Sequence, residues 1–357
     1  MARIVLACGT SHTPLLSLDA AEWQTRANND RANQRLFDNA GRICSYDELA
    51  RAVGDRYVSE ARPERWSAHA EAAQRALDRV ADELEQAEPD VVVVIGDDEH
   101  ELFSAANMPA FAVYYGENAI SREFAQAHDP RTTDPAYAWM HTVARGYAMD
   151  RHHSYPVAAA FAREIIERLV ASQFDVAACA SVPEPAKAGF GHAYGYVRTR
   201  LLRDRDVPIV PVMVNTYYPP NQPTAARCYA FGDALRAAIE SSGGDDVRVA
   251  VVASGGLSHF VTDELLDRRV LAALENGTPH ALRDLPTHLL NDGTSEIRNW
   301  VTLGGVLRDR HPGWSTYIPI YRTPAGTGIG LAFASWQMQP TTAPAGLTAA
   351  DRSPSTR

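Results

Sequence analysis

Short runs of β-branched and aliphatic residues alternate along the chain with longer stretches whose apolar positions recur every three or four residues. The first pattern is that of strands buried on both faces, the second that of amphipathic helices. Arg3–Cys8 reads as a first strand, and Asp90–Gly96 (DVVVVIG) as a buried one. Ala110–Tyr115, Phe174–Cys179, Pro208–Val214 and Val247–Ser254 read the same way, and Trp314–Tyr321 and Gly328–Trp336 close the pattern as strands. Pro63–Glu88 is rich in Ala, Glu and Arg, starts on a proline and runs into Pro89, so it predicts a long helix stopped by a residue that cannot continue it. Helical spacing recurs over Val157–Ser172, Tyr194–Asp204, Thr224–Ser241, Thr262–Glu275 and Ser295–Arg308.

Strands that alternate with helices predict a mixed α/β layer architecture. No strong linker divides the chain, so residues 1–340 read as one large domain with two insertions. These are Ser17–Pro63, polar and weakly periodic, and Ser104–Pro156, rich in Pro, His, Tyr and Asp. Insertions of this kind form lids or subunit contacts. The last stretch, 341–357, is rich in Pro, Ala, Ser and Thr and is expected to be disordered.

Composition narrows the classes. The 357 residues are 45% hydrophobic and 22% charged, enough for a substantial core without covalent staples. Lys and Arg number 34 against 44 Asp and Glu, a net charge of −10 with no basic run, which argues against a nucleic-acid surface. Cys8, Cys44, Cys179 and Cys228 are scattered and form no CxxC, which argues against a zinc ribbon or a thioredoxin-type site and for reduced thiols. The N-terminal apolar run is too short for a signal peptide, and no run reaches eighteen apolar residues. A cytoplasmic protein with no membrane partner is the expectation.

The histidines change the picture. His12 lies in Gly9-Thr10-Ser11-His12-Thr13-Pro14, just past the first strand. His100 follows the valine strand in Asp97-Asp98-Glu99-His100, an acidic turn suited to a divalent cation. His259 follows another strand in Gly255-Gly256-Leu257-Ser258-His259, and His192 sits between glycines in Gly191-His192-Ala193-Tyr194-Gly195. Glu296 stands near a helix start. Singly, each has an ordinary explanation, as a loop imidazole, a solvated charge run, a capped turn or a carboxylate on a helix dipole. Together they matter more, because ligands in open α/β folds gather beyond the carboxyl ends of strands. Two neutral imidazoles and a carboxylate leave open positions on iron(II), and spare histidines would move protons near neutral pH. Spacing alone does not select which histidine does what.

These motifs, with Val214-Asn215-Thr216-Tyr217-Tyr218-Pro219-Pro220, CYAFGDALRAA (Cys228–Ala238) and SEIRNW (Ser295–Trp300), resemble in order and spacing the class III extradiol ring-cleavage dioxygenases. The likeness is to the protocatechuate 4,5-dioxygenase catalytic subunit, and within that group to gallate and 3-O-methylgallate dioxygenases. The resemblance implies an αβ sandwich around a mixed sheet, a homodimer or larger homo-oligomer, ferrous iron, and a small aromatic diol and dioxygen as partners. It implies His12, His100 and Glu296 as metal ligands, His259 as the acid/base histidine and His192 as the other active-site histidine. Tyr217, Tyr218 and Arg298 are candidates to meet a substrate carboxylate. The first insertion is longer than in the two-subunit protocatechuate enzyme, which implies a chain that supplies its own lid. The competing expectations are a zinc or manganese hydrolase on the same ligands and a non-enzymatic binding protein on the same fold. Gallate, 3-O-methylgallate, protocatechuate and a lignin-derived biphenyl all stay open as substrates. The other eight histidines read as incidental.

Overall fold

A computed structural model describes residues 1–124, 138–244 and 246–338. The tail expected to be disordered and residues 125–137 of the second insertion, with His128, lie outside the described residues.

The strands, in chain order, are β1 (Arg3–Thr10), β2 (Leu36–Phe37), β3 (Ile43–Cys44), β4 (Val91–Gly96), β5 (Phe111–Tyr114), β6 (Asn118–Ile120), β7 (Ser154–Pro156), β8 (Ala177–Cys179), β9 (Ile209–Val214), β10 (Arg248–Ser254), β11 (Trp314–Tyr321) and β12 (Gly328–Gln337). The helices are α1 (Trp23–Ala32), α2 (Tyr46–Val53), α3 (Pro63–Gln86), α4 (Trp139–Gly146), α5 (Ala159–Ala171), α6 (His192–Tyr196), α7 (Ala225–Glu240), α8 (Glu264–Glu275) and α9 (Ile297–Leu307). An eight-stranded sheet runs β11-β12-β1-β10-β4-β9-β5-β8. The pairs β1–β10, β10–β4, β4–β9 and β5–β8 are parallel, and β1–β12, β11–β12 and β5–β9 antiparallel, so the sheet is mixed. This is the α/β fold with helical insertions that the alternation predicts.

The valine run of β4 shows why both faces need cover. Val92 and Val94 join the apolar layer under α3 and α6, while Val91, Val93 and Ile95 join the layer under α5, α7, α8 and α9. Helix α3 answers with Trp66, Ala73, Ala76, Leu77, Val80, Ala81 and Leu84, which recur at helical spacing on one stripe. On the opposite face α7 and α9 cross with Gly232 against Gly305, close enough that their backbones touch. This crossing sets where the N-terminal end of α9 meets the sheet. Among the described residues, no helix is long and apolar enough to cross a membrane.

The structure adds three helices that the weakly periodic insertions concealed. Helix α2 carries a capping box of Ser45 and Glu48, a signal present in the sequence. Helix α1 buries only Trp23, Ala27 and Asp30, and it is held by tertiary bonds rather than by periodicity. Trp23 Nε1 donates to the Leu15 carbonyl (3.1 Å). Asp30 forms a buried two-pronged pair with Arg322 (2.7 and 3.1 Å), pinning the first insertion to the end of β11. In the second insertion α4 packs Trp139, Val143 and Ala144 inward. Elsewhere, Phe174–Cys179 pairs only over Ala177–Cys179 at the sheet edge, and the Tyr194–Asp204 helix starts at His192 and loosens into a π-type turn over Val197–Leu201.

A Cβ at Gly305 would stand 2.1 Å from the Tyr229 carbonyl oxygen. Gly305→Ala is therefore expected to force α7 and α9 apart and cost about 1–3 kcal/mol in urea unfolding.

Candidate active site

The parallel strands β1, β10 and β4 lie side by side, so their carboxyl ends bring three loops to one edge of the sheet. His12 leaves β1 two residues past its end. The Ser11 N–H donates to the Ala332 carbonyl (3.0 Å) and the Ser11 Oγ accepts from the Ala332 N–H (3.0 Å), which fixes the direction in which the chain leaves. Tyr147 Oη donates to the His12 carbonyl (2.7 Å). The His12 ring is oriented by Ser254 at the end of β10. Ser254 Oγ donates to the Ala193 carbonyl (2.9 Å), so it accepts from His12 Nδ1–H (2.8 Å). That tautomer turns the Nε2 lone pair inward.

Asp97 is the first residue after β4. It continues the side on which Val93 and Ile95 face α9, and there Asn299 Nδ2 donates to its Oδ1 (3.2 Å). His192 opens α6. Its Nδ1 meets Glu101 Oε1 (2.7 Å) and its backbone N–H donates to the same oxygen (3.1 Å). The approach is close enough that a Cβ at Gly191 would overlap the Glu101 carboxylate. Glu296 enters from the turn before α9. Its Oε2 accepts from the Gly256 backbone N–H (2.6 Å) and lies 3.3 Å from His12 Nε2, while its Oε1 lies 3.1 Å from His259 Nε2. His259 Nδ1 is bonded to the Leu257 carbonyl (2.8 Å).

His12, Asp97, His192 and Glu296 each point one donor atom into a buried space, with those atoms all within 4.8 Å of one another. Two of the group are short of partners: neither His12 Nε2 nor Asp97 Oδ2 has a hydrogen-bond partner. Buried polar atoms are rarely left so, and an ion is one of the few occupants that satisfies both. The charges agree. Burial raises the Asp97 carboxyl well above the ordinary range, and the Glu296 charge raises it further. Burial works against an ionised Glu296 too, but the imidazoles of His259 and His12 overcome it and hold that carboxyl well below its usual range. Glu101 is held down to about 2, against burial, by His192 and the N–H groups around it. Burial disfavours the charged form of His192, yet Glu101, Glu99 and Asp97 raise its pKa well above the usual value. A centre with this surplus of carboxylates over imidazoles, and open lone pairs of both kinds, fits a divalent metal ion.

His12, His192 and Glu296 floor a cavity of about 220 Å³, with Asp97 beneath them. Its wall is largely apolar, with Pro14, Phe124, Trp139, Met140, Val143 and Ile329, while Tyr217 and His259 stand with the polar group. A 150 Å³ apolar cavity holds benzene, so about one aromatic ring fits.

The residues singled out from the sequence are thus divided. His12, His192 and Glu296 come together, with His259 hydrogen-bonded to Glu296, and Tyr217 lines the cavity. His100 does not join them. At φ 62 its ring turns away, Nδ1 faces the Phe103 carbonyl (3.3 Å), and the ring stacks on Tyr218 at 3.7 Å between centroids. Asp97, three residues earlier, stands in the cluster instead, and Glu99 lines the cavity. Tyr218 is occupied by that stack rather than by the cavity. Arg298 is fully buried, and its guanidinium donates to the carbonyls of Pro223, Thr216, Leu290 and Ser295, so it braces the loops bearing Tyr217 and Glu296 instead of facing a ligand. The strand's side-to-side alternation carries the signal for Asp97, two residues beyond inward-facing Ile95.

The chain is similar to known proteins of one enzyme family. Gallate dioxygenase of Pseudomonas putida (strain KT2440) is 39% identical over 109 residues, which is 30% of this chain and 30% of that protein. The matched stretch thus spans under a third of that relative's length. A family model described as the catalytic LigB subunit of aromatic ring-opening dioxygenase matches residues 57–332. That stretch takes in Asp97, His192, His259 and Glu296 and well over half of the chain, and the chain accordingly belongs to this family.

Proposed function

We propose that the protein is an iron(II)-dependent extradiol dioxygenase that opens a catechol- or gallate-type ring, methoxylated or carboxylated, with dioxygen. The observation that carries this reading is the buried His12–Asp97–His192–Glu296 cluster, with its unpartnered His12 Nε2 and Asp97 Oδ2, at the floor of a cavity sized for one ring. His12 and Glu296, with Asp97 or His192, would hold the metal. When bound, iron(II) supplies open positions for two adjacent ring oxygens and for dioxygen, and a redox-active partner for a reaction otherwise forbidden by spin.

The chain's own groups account for the proton and the ring. His259 Nδ1–H is committed to the Leu257 carbonyl, so Nε2, which lines the cavity beside Glu296, is the atom at which the ring takes up or releases a proton. A proton taken from a ring hydroxyl at Nε2 then lies 3.1 Å from Glu296 Oε1, which stabilises the imidazolium. The same pairing raises the His259 pKa, although burial opposes it. Burial, with Glu99 and Glu296 nearby, pushes the Tyr217 hydroxyl well up, so it stays a neutral donor toward ring oxygens. The apolar wall packs the ring faces and excludes water, which strengthens every charge interaction at the floor.

Anaerobic reconstitution followed by metal analysis and oxygen uptake across catechols and gallates tests the reading. Stoichiometric iron(II), with oxygen consumed and a yellow ring-opened product formed, is expected; tight zinc with no oxygen uptake would instead favour a hydrolase. His12→Ala and Glu296→Ala are expected to lose stoichiometric iron, whereas His100→Ala keeps it. His259→Ala should retain iron and lose turnover by about 10²–10⁴-fold, the range of a positioned general base. Full activity in that variant would remove the assignment.

A further inference from the structure

The cavity contains a cation that the ring-opening chemistry does not use. Arg26, on helix α1 of the first insertion, lines the cavity together with Arg322 from the end of β11. Arg322 is spoken for. Its Nε and Nη2 hold Asp30 Oδ2 and Oδ1 at 2.7 and 3.1 Å, and Thr327 Oγ1 donates to Asp30 Oδ2 as well (2.9 Å). Asp30 is therefore bonded to Arg322 and Thr327, and it acts on Arg26 only as a nearby charge. Among the described residues no carboxylate lies within ion-pair distance of the Arg26 guanidinium. Its contact is with the face of Trp139, 4.9 Å from the ring centroid.

That arrangement is costly unless something completes it. A guanidinium against an apolar wall, beside a second guanidinium, has given up water without gaining a directly bonded carboxylate. Burial and the neighbouring Arg322 both work against its charge, and the more distant Asp30 and Glu99 offset this only in part. The Trp139 face holds the guanidinium in place, and among the described residues no hydrogen bond occupies its N–H groups, which an arginine can offer to a carboxylate through two parallel bonds. Glu99 also lines the cavity, but it lies beyond ion-pair distance and next to the metal-binding floor.

We propose that Arg26 is a specificity-determining residue, receiving the carboxylate of an aromatic ring seated in this cavity, so that the inserted helix α1 reads the substrate. This rests on the ring-cleavage reading only for the rest of the substrate; the carboxylate contact itself needs no metal. Two arms keep the claims separable. In the first, metal-free protein is titrated calorimetrically with benzoate and with its neutral counterpart benzamide. Wild-type protein is expected to prefer benzoate at least tenfold. Arg26→Gln is expected to abolish the preference, a loss of about 10–100-fold for benzoate on the scale of one charge-assisted bond. Arg26→Lys keeps part of it, because the charge remains while the fork is lost. In the second arm, iron(II)-loaded protein is assayed for the KM ratio of catechol to 3,4-dihydroxybenzoate, which should fall in Arg26→Gln. Equal binding of benzoate and benzamide by wild-type protein, or an unchanged preference in folded Arg26→Gln, would overturn the proposal. Loss of the benzoate preference in a protein that opens no ring on the panel would uphold Arg26 and reject the ring-cleavage reading.

Discussion

The ionised carboxylate of Glu296, almost wholly removed from water, is the constraint on which the site depends. An isolated buried carboxylate would take up a proton. Glu296 stays charged because the His259 imidazole and the Gly256 N–H, both from the loop after β10, converge on it with the His12 imidazole from the end of β1. That convergence is possible only if β1, β10 and the N-terminal end of α9 reach one point. The parallel pairing of β1 with β10 and the close crossing of α7 on α9 provide this. The fold and the site are thus one construction: moving α9 would strand a charge as well as open a core.

Around that charge the second layer fixes proton positions rather than adding contacts. Ser254 sets the tautomer of His12, the Leu257 carbonyl that of His259, and Glu101 the orientation of His192. Each ring is left with Nε2 directed to the same space. A centre built this way can hold a cation and move a proton without rearranging, since the donors and acceptors already face the reacting position.

Much of this was legible in the sequence where periodicity dictates structure. The valine run of β4, the stripe of α3 and the closing pair β11–β12 followed directly from apolar spacing, and the histidines just past strand ends marked the right edge of the sheet. What escaped was decided at the scale of one or two residues. In Asp97-Asp98-Glu99-His100 the residue type favoured His100, but the alternation of the strand carries Asp97 inward, and the left-handed turn at His100 carries its ring out to Tyr218. Arg298 looked like a cation for substrate because a sequence does not display the four carbonyls that surround it. Arg26 was invisible for the opposite reason. Helix α1 has almost no amphipathic pattern, and its position over the cavity comes from Asp30 and Trp23, contacts made with distant segments.

The central claim is that this buried cluster directs both atoms of dioxygen into an aromatic ring beside its hydroxyls. The most direct measurement is mass spectrometry of the product formed by iron(II)-reconstituted protein from a catechol under isotopically labelled dioxygen. The account predicts a ring-opened product carrying both labelled atoms. An intact ring, or a product whose new oxygen comes from water, would contradict it.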